Sequence, residues 1–86
     1  MALQAFQASE ASYLRVLAST GSPPELLVQA RRNLAGLYHS WARALPAGQD
    51  RSARLSSAIS TYRDVQGSAL ELAGALQERG EVKDME

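Results

Sequence analysis

Apolar residues recur along this chain at steps of three and four, the spacing that places side chains on one face of an α-helix. Three segments show the spacing, and it predicts an all-α protein. The apolar positions of the first segment are Leu3, Phe6, Tyr13, Leu14 and Leu17. Those of the second are Leu27, Ala30, Leu34, Leu37, Tyr38, Trp41 and Leu45. Those of the third are Leu55, Ala58, Ile59, Tyr62, Val65, Ala69, Leu72, Ala73 and Leu76.

The first joint between helices lies at residues 20–25, Thr-Gly-Ser-Pro-Pro-Glu. Gly21 suits the left-handed position that follows a helix end. Ser22 precedes a proline and therefore favours extended backbone, as an N-cap requires, and Pro23 then takes the first helical position. Glu25, three residues after Ser22, would complete a capping box. We therefore predict that the second helix begins at Pro23.

The second joint lies at residues 45–50, Leu-Pro-Ala-Gly-Gln-Asp. Pro46 cannot continue a helix, because its ring clashes with the preceding turn and it lacks an N–H. Gly48 permits a turn, and Asp50 can cap the helix that follows. These features predict a third helix that starts near residue 51.

The third helix is predicted to run without a break to Arg79, where a basic side chain favours the C-terminal end of the helix dipole. Short connections favour antiparallel neighbours, so the expected fold is an up-down-up bundle of three helices with the third the longest. We expect residues 1–80 to form a single domain and residues 81–86 to form a frayed, charged tail.

The back of the third helix carries small residues seven positions apart, at Ala53, Ser60, Gly67 and Gly74. Exposed helix faces usually carry polar side chains, and each interior glycine costs about 1 kcal/mol relative to alanine. Such a seam is typical of a surface that another helix approaches, and Leu70 lies beside it. We predict that a partner helix, or a second copy of the chain, binds at Ser60, Gly67, Leu70 and Gly74.

A second candidate site is a stripe on the second helix formed by Arg32, Gly36, His39 and Arg43, at steps of four, three and four. Two guanidinium groups and an imidazole can hold a carboxylate or a phosphate, so the stripe predicts binding of an acidic group. Given the zero net charge, an acidic segment of a partner protein is the expected ligand. The alternative is a solvated polar face opposite the core.

Glu10 falls inside the first apolar stripe, between Phe6 and Tyr13. A carboxylate in that position must be paired, hydrogen-bonded or tilted to water at the edge of the core. Arg31 or a tyrosine hydroxyl is a suitable partner. Trp41 lies on the apolar face of the second helix, and we predict that it is part of the core.

Composition restricts the class of function. Apolar residues make up 45% of 86 residues, nine basic residues balance nine acidic ones, and cysteine is absent. Nucleic-acid binding is not expected without a basic surplus, and thiolate metal sites are excluded. No segment has the length and apolarity of a membrane span or the pattern of a signal peptide, which predicts a cytoplasmic or nucleoplasmic protein.

No motif of hydrolytic, phosphate-binding or metalloprotease chemistry occurs in the sequence. His39 is the only histidine, and the adjacent Ser40 points elsewhere on the helix, so the pair does not form a nucleophile with its base. We therefore predict a protein that is not an enzyme, with no cofactor, no metal and no small-molecule substrate.

Residues 33–38, Asn-Leu-Ala-Gly-Leu-Tyr, and 72–76, Leu-Ala-Gly-Ala-Leu, resemble the first helix of a tetratricopeptide repeat. The resemblance implies a concave surface that binds peptides. Gly36 and Gly74 lie 38 residues apart, whereas these repeats have a period of about 34 residues. Pro46 also interrupts the position at which the second helix of a repeat would follow.

Taken together, these patterns favour a small helical adaptor or complex subunit that binds a protein helix. Self-association as a homodimer is expected more than binding of a different chain, because symmetric dimers are the commonest oligomers. The alternatives are an export chaperone that shields a client helix and a peptide-binding fragment of tetratricopeptide type. Salt-sensitive nucleic-acid binding through Arg31, Arg32 and Arg43 is a further class, and the neutral net charge weighs against it.

Overall fold

The computed structural model describes residues 2–65 and 67–85, and within them the chain forms four α-helices and no β-strand. The helices are α1 (Ala2–Ala18), α2 (Pro24–Ala44), α3 (Gln49–Arg63) and α4 (Ala69–Met85). The all-α prediction is confirmed, and the prediction of three helices is wrong. The side chain of Leu3, assigned above to the first apolar face, lies outside the described residues.

The predicted third helix is interrupted, so that it forms α3 and α4. The last turn of α3 tightens, because the N–H of Val65 donates to the carbonyl of Tyr62, three residues back, at 3.0 Å. Gly67 then takes a φ of +88°, a left-handed backbone that favours glycine. Helical bonding resumes where the N–H of Leu72 donates to the carbonyl of Ser68 at 2.8 Å. The glycine thus makes a turn between two helices.

The start of α2 differs from the prediction by one residue and by its cap. The helix begins at Pro24, with Pro23 at the N-cap position and no side-chain hydrogen bond to the cap. Ser22 does not cap α2; its hydroxyl donates instead to the carbonyl of Val16, in the last turns of α1, at 3.5 Å. Gly21 does not adopt the predicted left-handed backbone. The joint itself is confirmed, but the predicted capping box is not formed.

The other predicted helix ends also shift. α3 begins at Gln49, and the residue at its N-cap is Gly48, which has a φ of +154°. Asp50 therefore lies in the first turn of the helix and not at the cap. α4 continues through Gly80 to Met85, so the predicted end at Arg79–Gly80 is wrong. The physical reason is burial: Val82 packs into a small core cluster and holds this part of the chain in the helix. Glu86 lies outside the described residues.

Each helix packs against the next one along the chain: α1 on α2, α2 on α3, and α3 on α4. Paired residues show that successive helices run antiparallel. For α1 and α2 the contacts are Glu10 with Tyr38 and Phe6 with Trp41. For α2 and α3 they are His39 with Tyr62 and Trp41 with Arg54. For α3 and α4, Tyr62 lines the same groove as Gly74, and Leu55 belongs to the same core cluster as Val82. Consequently α2 and α4 run in the same direction on either side of α3.

The main core lies between α2 and α3, and α1 and α4 each contribute to it. Its buried members are Leu34, Ala35, Tyr38, Trp41, Ala58, Ile59, Tyr62 and Ala75. Trp41 is only 2% exposed, as predicted for a core residue. Phe6 stacks on its ring at 5.6 Å between centroids, and the Arg54 guanidinium lies 3.9 Å from the ring centroid. The Cα atoms span 44 × 30 × 13 Å, which makes the fold a flattened helical bundle.

Candidate binding groove

A groove of about 440 Å³ lies between α2 and α4, above the helix that both of them contact. The groove is lined by Gly36, His39, Ser40 and Arg43 from α2, by Tyr62 from α3, and by Leu70, Glu71 and Gly74 from α4. Because α2 and α4 are parallel, Gly36, Leu70 and Glu71 lie towards one end of the groove, whereas His39 and Arg43 reach Glu78, two turns further along α4. The groove therefore combines residues of the two surfaces that the sequence analysis treated as separate sites.

The wall formed by α2 contains most of the predicted polar stripe. His39 and Arg43 line the groove together with Gly36, since steps of three and four keep them on one face. Arg32 does not line it. Its guanidinium lies at the turn between α3 and α4, with Nη2 3.5 Å from the position that a Cβ on Gly67 would take. The structure thus separates Arg32 from the other two members.

The wall formed by α4 contains half of the predicted seam. Leu70 and Gly74 lie one turn apart on α4, and the Leu70 side chain is 87% exposed. Gly67 belongs to the turn that precedes α4, and Ser60 lies on α3 in a different hollow. The continuous seam is therefore not formed, because the chain changes direction at Gly67. Whether these residues bind a partner stays a prediction.

The two glycines of the groove face open space. Among the described residues, a Cβ built on Gly36 or on Gly74 would have no heavy atom within 4 Å. The two positions therefore do not serve close helix packing inside the molecule. They leave the walls of the groove low, so that another chain can approach the backbone of α2 and α4.

The floor of the groove is a buried chain of polar contacts. The Nδ1 atom of His39 lies 3.3 Å from the Tyr62 hydroxyl, and the two rings meet edge to face at 80°. The Nε2 atom of His39 is hydrogen-bonded to the carboxylate of Glu78 on α4. His39 is buried, so the alternative of a solvated polar face is wrong for this residue.

Arg43 adds a second contact to the same carboxylate. Its Nε donates to Oε1 of Glu78 at 3.0 Å and its Nη2 donates to Oε2 at 3.2 Å, a bidentate arrangement. This bond and the neighbouring His39 hold the pKa of Glu78 below its usual value, although burial acts in the opposite direction. The same carboxylate raises the pKa of Arg43. Glu78 is therefore ionised at neutral pH.

The acidic group that His39 and Arg43 contact thus belongs to the same chain, and binding of a partner's carboxylate there stays a prediction. Sequence reasoning missed Glu78 because it lies 35 residues beyond Arg43. One signal was present: His39 and Arg43 are four residues apart and present N–H donors on one helix face, which suits a single carboxylate. No local pattern showed which carboxylate it would be.

The order Tyr62, His39, Glu78 has the form of a nucleophile, a base and an orienting acid. Burial and the neighbouring Glu71, however, raise the pKa of the Tyr62 phenol. A raised pKa keeps the hydroxyl protonated and opposes its use as a nucleophile. These contacts position the three side chains and join α2 to α4.

Glu10 makes a second polar contact, between α1 and α2. The Tyr38 hydroxyl donates to Oε2 of Glu10 at 2.6 Å. This bond confirms the prediction that a tyrosine hydroxyl can serve as the partner of Glu10. Burial, together with this bond, raises the pKa of Tyr38 to about 12. The contact links α1 to α2 and lies away from the groove.

Among the described residues, no group of three or more histidine, aspartate or glutamate side chains is placed to hold a metal ion. None of the helices in that part of the chain combines the length and apolarity needed to cross a membrane. In comparisons with protein-family models, curated proteins and solved structures, none matches this chain.

Proposed function

We propose that this protein is a non-enzymatic interaction module, a small adaptor or complex subunit that binds a protein helix in the groove between α2 and α4. The observation that carries the proposal is Leu70, which is 87% exposed at the rim of the groove. A single exposed leucine is common on protein surfaces. Here the leucine adjoins a hollow of about 440 Å³, and that combination favours a contact site.

The chemistry of the lining supports a helix as the ligand. Gly36 and Gly74 leave the walls low, so a helix backbone can approach closely. Leu70 supplies an apolar contact, while Ser40, Arg43 and Glu71 form a polar border. The groove thus offers one exposed apolar side chain among polar groups, a combination that suits an amphipathic helix, and a helix in a groove is a common mode of recognition.

The contacts of Glu78 give the groove a defined width. His39 and Arg43 of α2 both donate to this one residue of α4, so the two walls are joined at one end. A site whose walls are already in place loses less conformational entropy on binding than a site whose walls must first become ordered. This arrangement suits a binding surface that forms without large rearrangement.

Photo-crosslinking tests the proposal. Position 70 is replaced by the photoreactive amino acid p-benzoylphenylalanine, and the matched control carries the same residue at Leu26, which is 43% exposed on α2 and does not line the groove. In cells, we expect a discrete protein adduct from position 70 and a weaker one, or none, from position 26. Filling the groove with Gly36→Leu should suppress the adduct. Equal labelling at both positions, or an adduct that survives Gly36→Leu, would contradict the proposal.

A further inference from the structure

We infer that the partner bound in this groove is a second copy of the chain, in a twofold dimer formed by two α2–α4 surfaces. The inference rests on the proposed function, because it names the occupant of the same groove. In a twofold interface the same patch serves both partners, so the patch must contain both members of every complementary pair. The groove surface meets this requirement in charge.

The charge pair is Arg43 and Glu71. Both line the groove, on different walls and towards different ends, since Arg43 contacts Glu78, which lies two turns beyond Glu71 on α4. The two charges therefore occupy diagonally opposite corners. A twofold axis that crosses the groove midway between the corners places Arg43 of each copy against Glu71 of the other. One symmetric arrangement thus forms two ion pairs.

Arg43 is able to make this second contact. Its side chain is 60% exposed even though it binds Glu78. A guanidinium carries five N–H donors, and the bidentate contact with Glu78 uses two of them. Glu71 is exposed in the first turn of α4. Both groups are therefore accessible to a second molecule.

The apolar contact follows from the same symmetry. Leu70 precedes Glu71, so it reaches the partner's groove next to Arg43, where it packs against the hydrocarbon stem of that side chain. Gly36 and Gly74 have no side chain that would hold the two surfaces apart. The formal net charge of the chain is zero, so net repulsion does not oppose self-association.

The first test is the absolute mass in solution, measured by light scattering on a sizing column over a range of concentrations. We expect a species of twice 9.3 kDa at the higher concentrations. Glu71→Arg places like charges together at two points of the dimer and should weaken association about tenfold or more. The matched control Glu25→Arg makes the same charge change on α2 outside the groove and should leave the dimer intact.

A mixing experiment tests the pairing directly. Arg43→Glu should also prevent self-association, but an equal mixture of the Arg43→Glu and Glu71→Arg chains should form a dimer, because each contact again joins Arg to Glu. Circular dichroism verifies that both variants are helical. If Arg43→Glu does not fold, Arg43→Gln, which has no charge to repel Glu78, replaces it. This chain should associate with itself more weakly than the parent, and its mixture with Glu71→Arg, which restores one Arg–Glu pair, should associate more tightly than Glu71→Arg alone.

The outcomes separate this inference from the proposed function. A parent chain that is monomeric at every concentration overturns the inference, as does a Glu71→Arg chain that dimerises as tightly as the parent. If position 70 then crosslinks to a different protein, and Gly36→Leu suppresses that adduct, the interaction module stands with another partner. If position 70 forms no specific adduct and the parent is monomeric, both proposals fail.

Discussion

At the scale of single residues, Glu78 determines how α2 and α4 are joined. Its carboxylate accepts hydrogen bonds from His39 and from Arg43, which both lie on α2. The two helices α2 and α4 pack mainly against α3, so these bonds are a direct link between them. A bidentate contact to a carboxylate that is itself only 20% exposed is stronger than an ordinary surface ion pair. We therefore expect Glu78 to contribute to stability as well as to the shape of the groove.

This contribution should depend on pH. The pKa of Glu78 is lowered in the folded protein, so its ionised form stabilises the fold at pH values above the usual pKa of 4.5. The stabilisation is lost as the pH falls through the lower pKa of the folded state. Glu78→Gln should reduce the free energy of unfolding by about 1 kcal/mol at neutral pH. The difference from the parent should shrink in acid.

Urea unfolding at a series of pH values measures this difference. The matched control is Glu25→Gln, which removes an exposed carboxylate from the first turn of α2. The control should have a small effect at neutral pH. A loss for Glu78→Gln that is the same at neutral and acidic pH would show that the carboxylate charge is not responsible.

At the scale of elements, the break between α3 and α4 defines the architecture. Gly67, with a φ of +88°, lets the chain reverse so that α4 packs back on α3. Without the reversal, residues 69–85 would extend beyond the bundle and the second wall of the groove would be missing. The same glycine that looked like part of an exposed seam is therefore required for the turn.

Alanine substitutions distinguish the two roles of glycine in this region. Gly67→Ala should destabilise the protein by about 1–2 kcal/mol, because an L-residue in left-handed backbone is strained. Gly74→Ala should stabilise it by up to about 1 kcal/mol, because Gly74 is helical and a Cβ there meets open space. Chemical denaturation gives both values. Stabilisation at both positions would mean that the chain is helical through Gly67.

At the scale of the whole molecule, stability depends on one principal core around Trp41. Its indole ring contacts Phe6 of α1 and Arg54 of α3, so a single side chain connects three helices. A fold of this size buries a modest fraction of its surface, and its total stability is small. Loss of this one contact centre should therefore affect the entire molecule.

Trp41→Ala should lower the free energy of unfolding by about 3–5 kcal/mol, the usual loss for a large buried aromatic side chain. That loss is comparable to the whole stability of many small domains, so the variant should be partly or fully unfolded at room temperature. Thermal melting followed by circular dichroism measures the effect. Leu26→Ala, at an exposed position, is the control and should melt near the parent. Equal melting of both variants would contradict a core role for Trp41.

The sequence by itself determined the helical class, the joints at residues 20–25 and 45–50, and the burial of Trp41. These properties follow from interactions within one or two turns: apolar spacing selects the buried face, and proline stops a helix wherever it falls. It did not reveal the break at Gly67, because the apolar spacing continues through Tyr62, Val65 and Ala69 as if the helix were unbroken.

Only the tertiary structure decided how the helices are arranged and which distant residues meet. The contact of Glu78 with His39 joins positions 39 residues apart, and it depends on the side of α3 on which each helix packs. The groove likewise exists only because α2 and α4 lie on either side of α3. Local patterns specify which face of a helix is buried, whereas the choice of neighbouring helix depends on the packing of the whole chain.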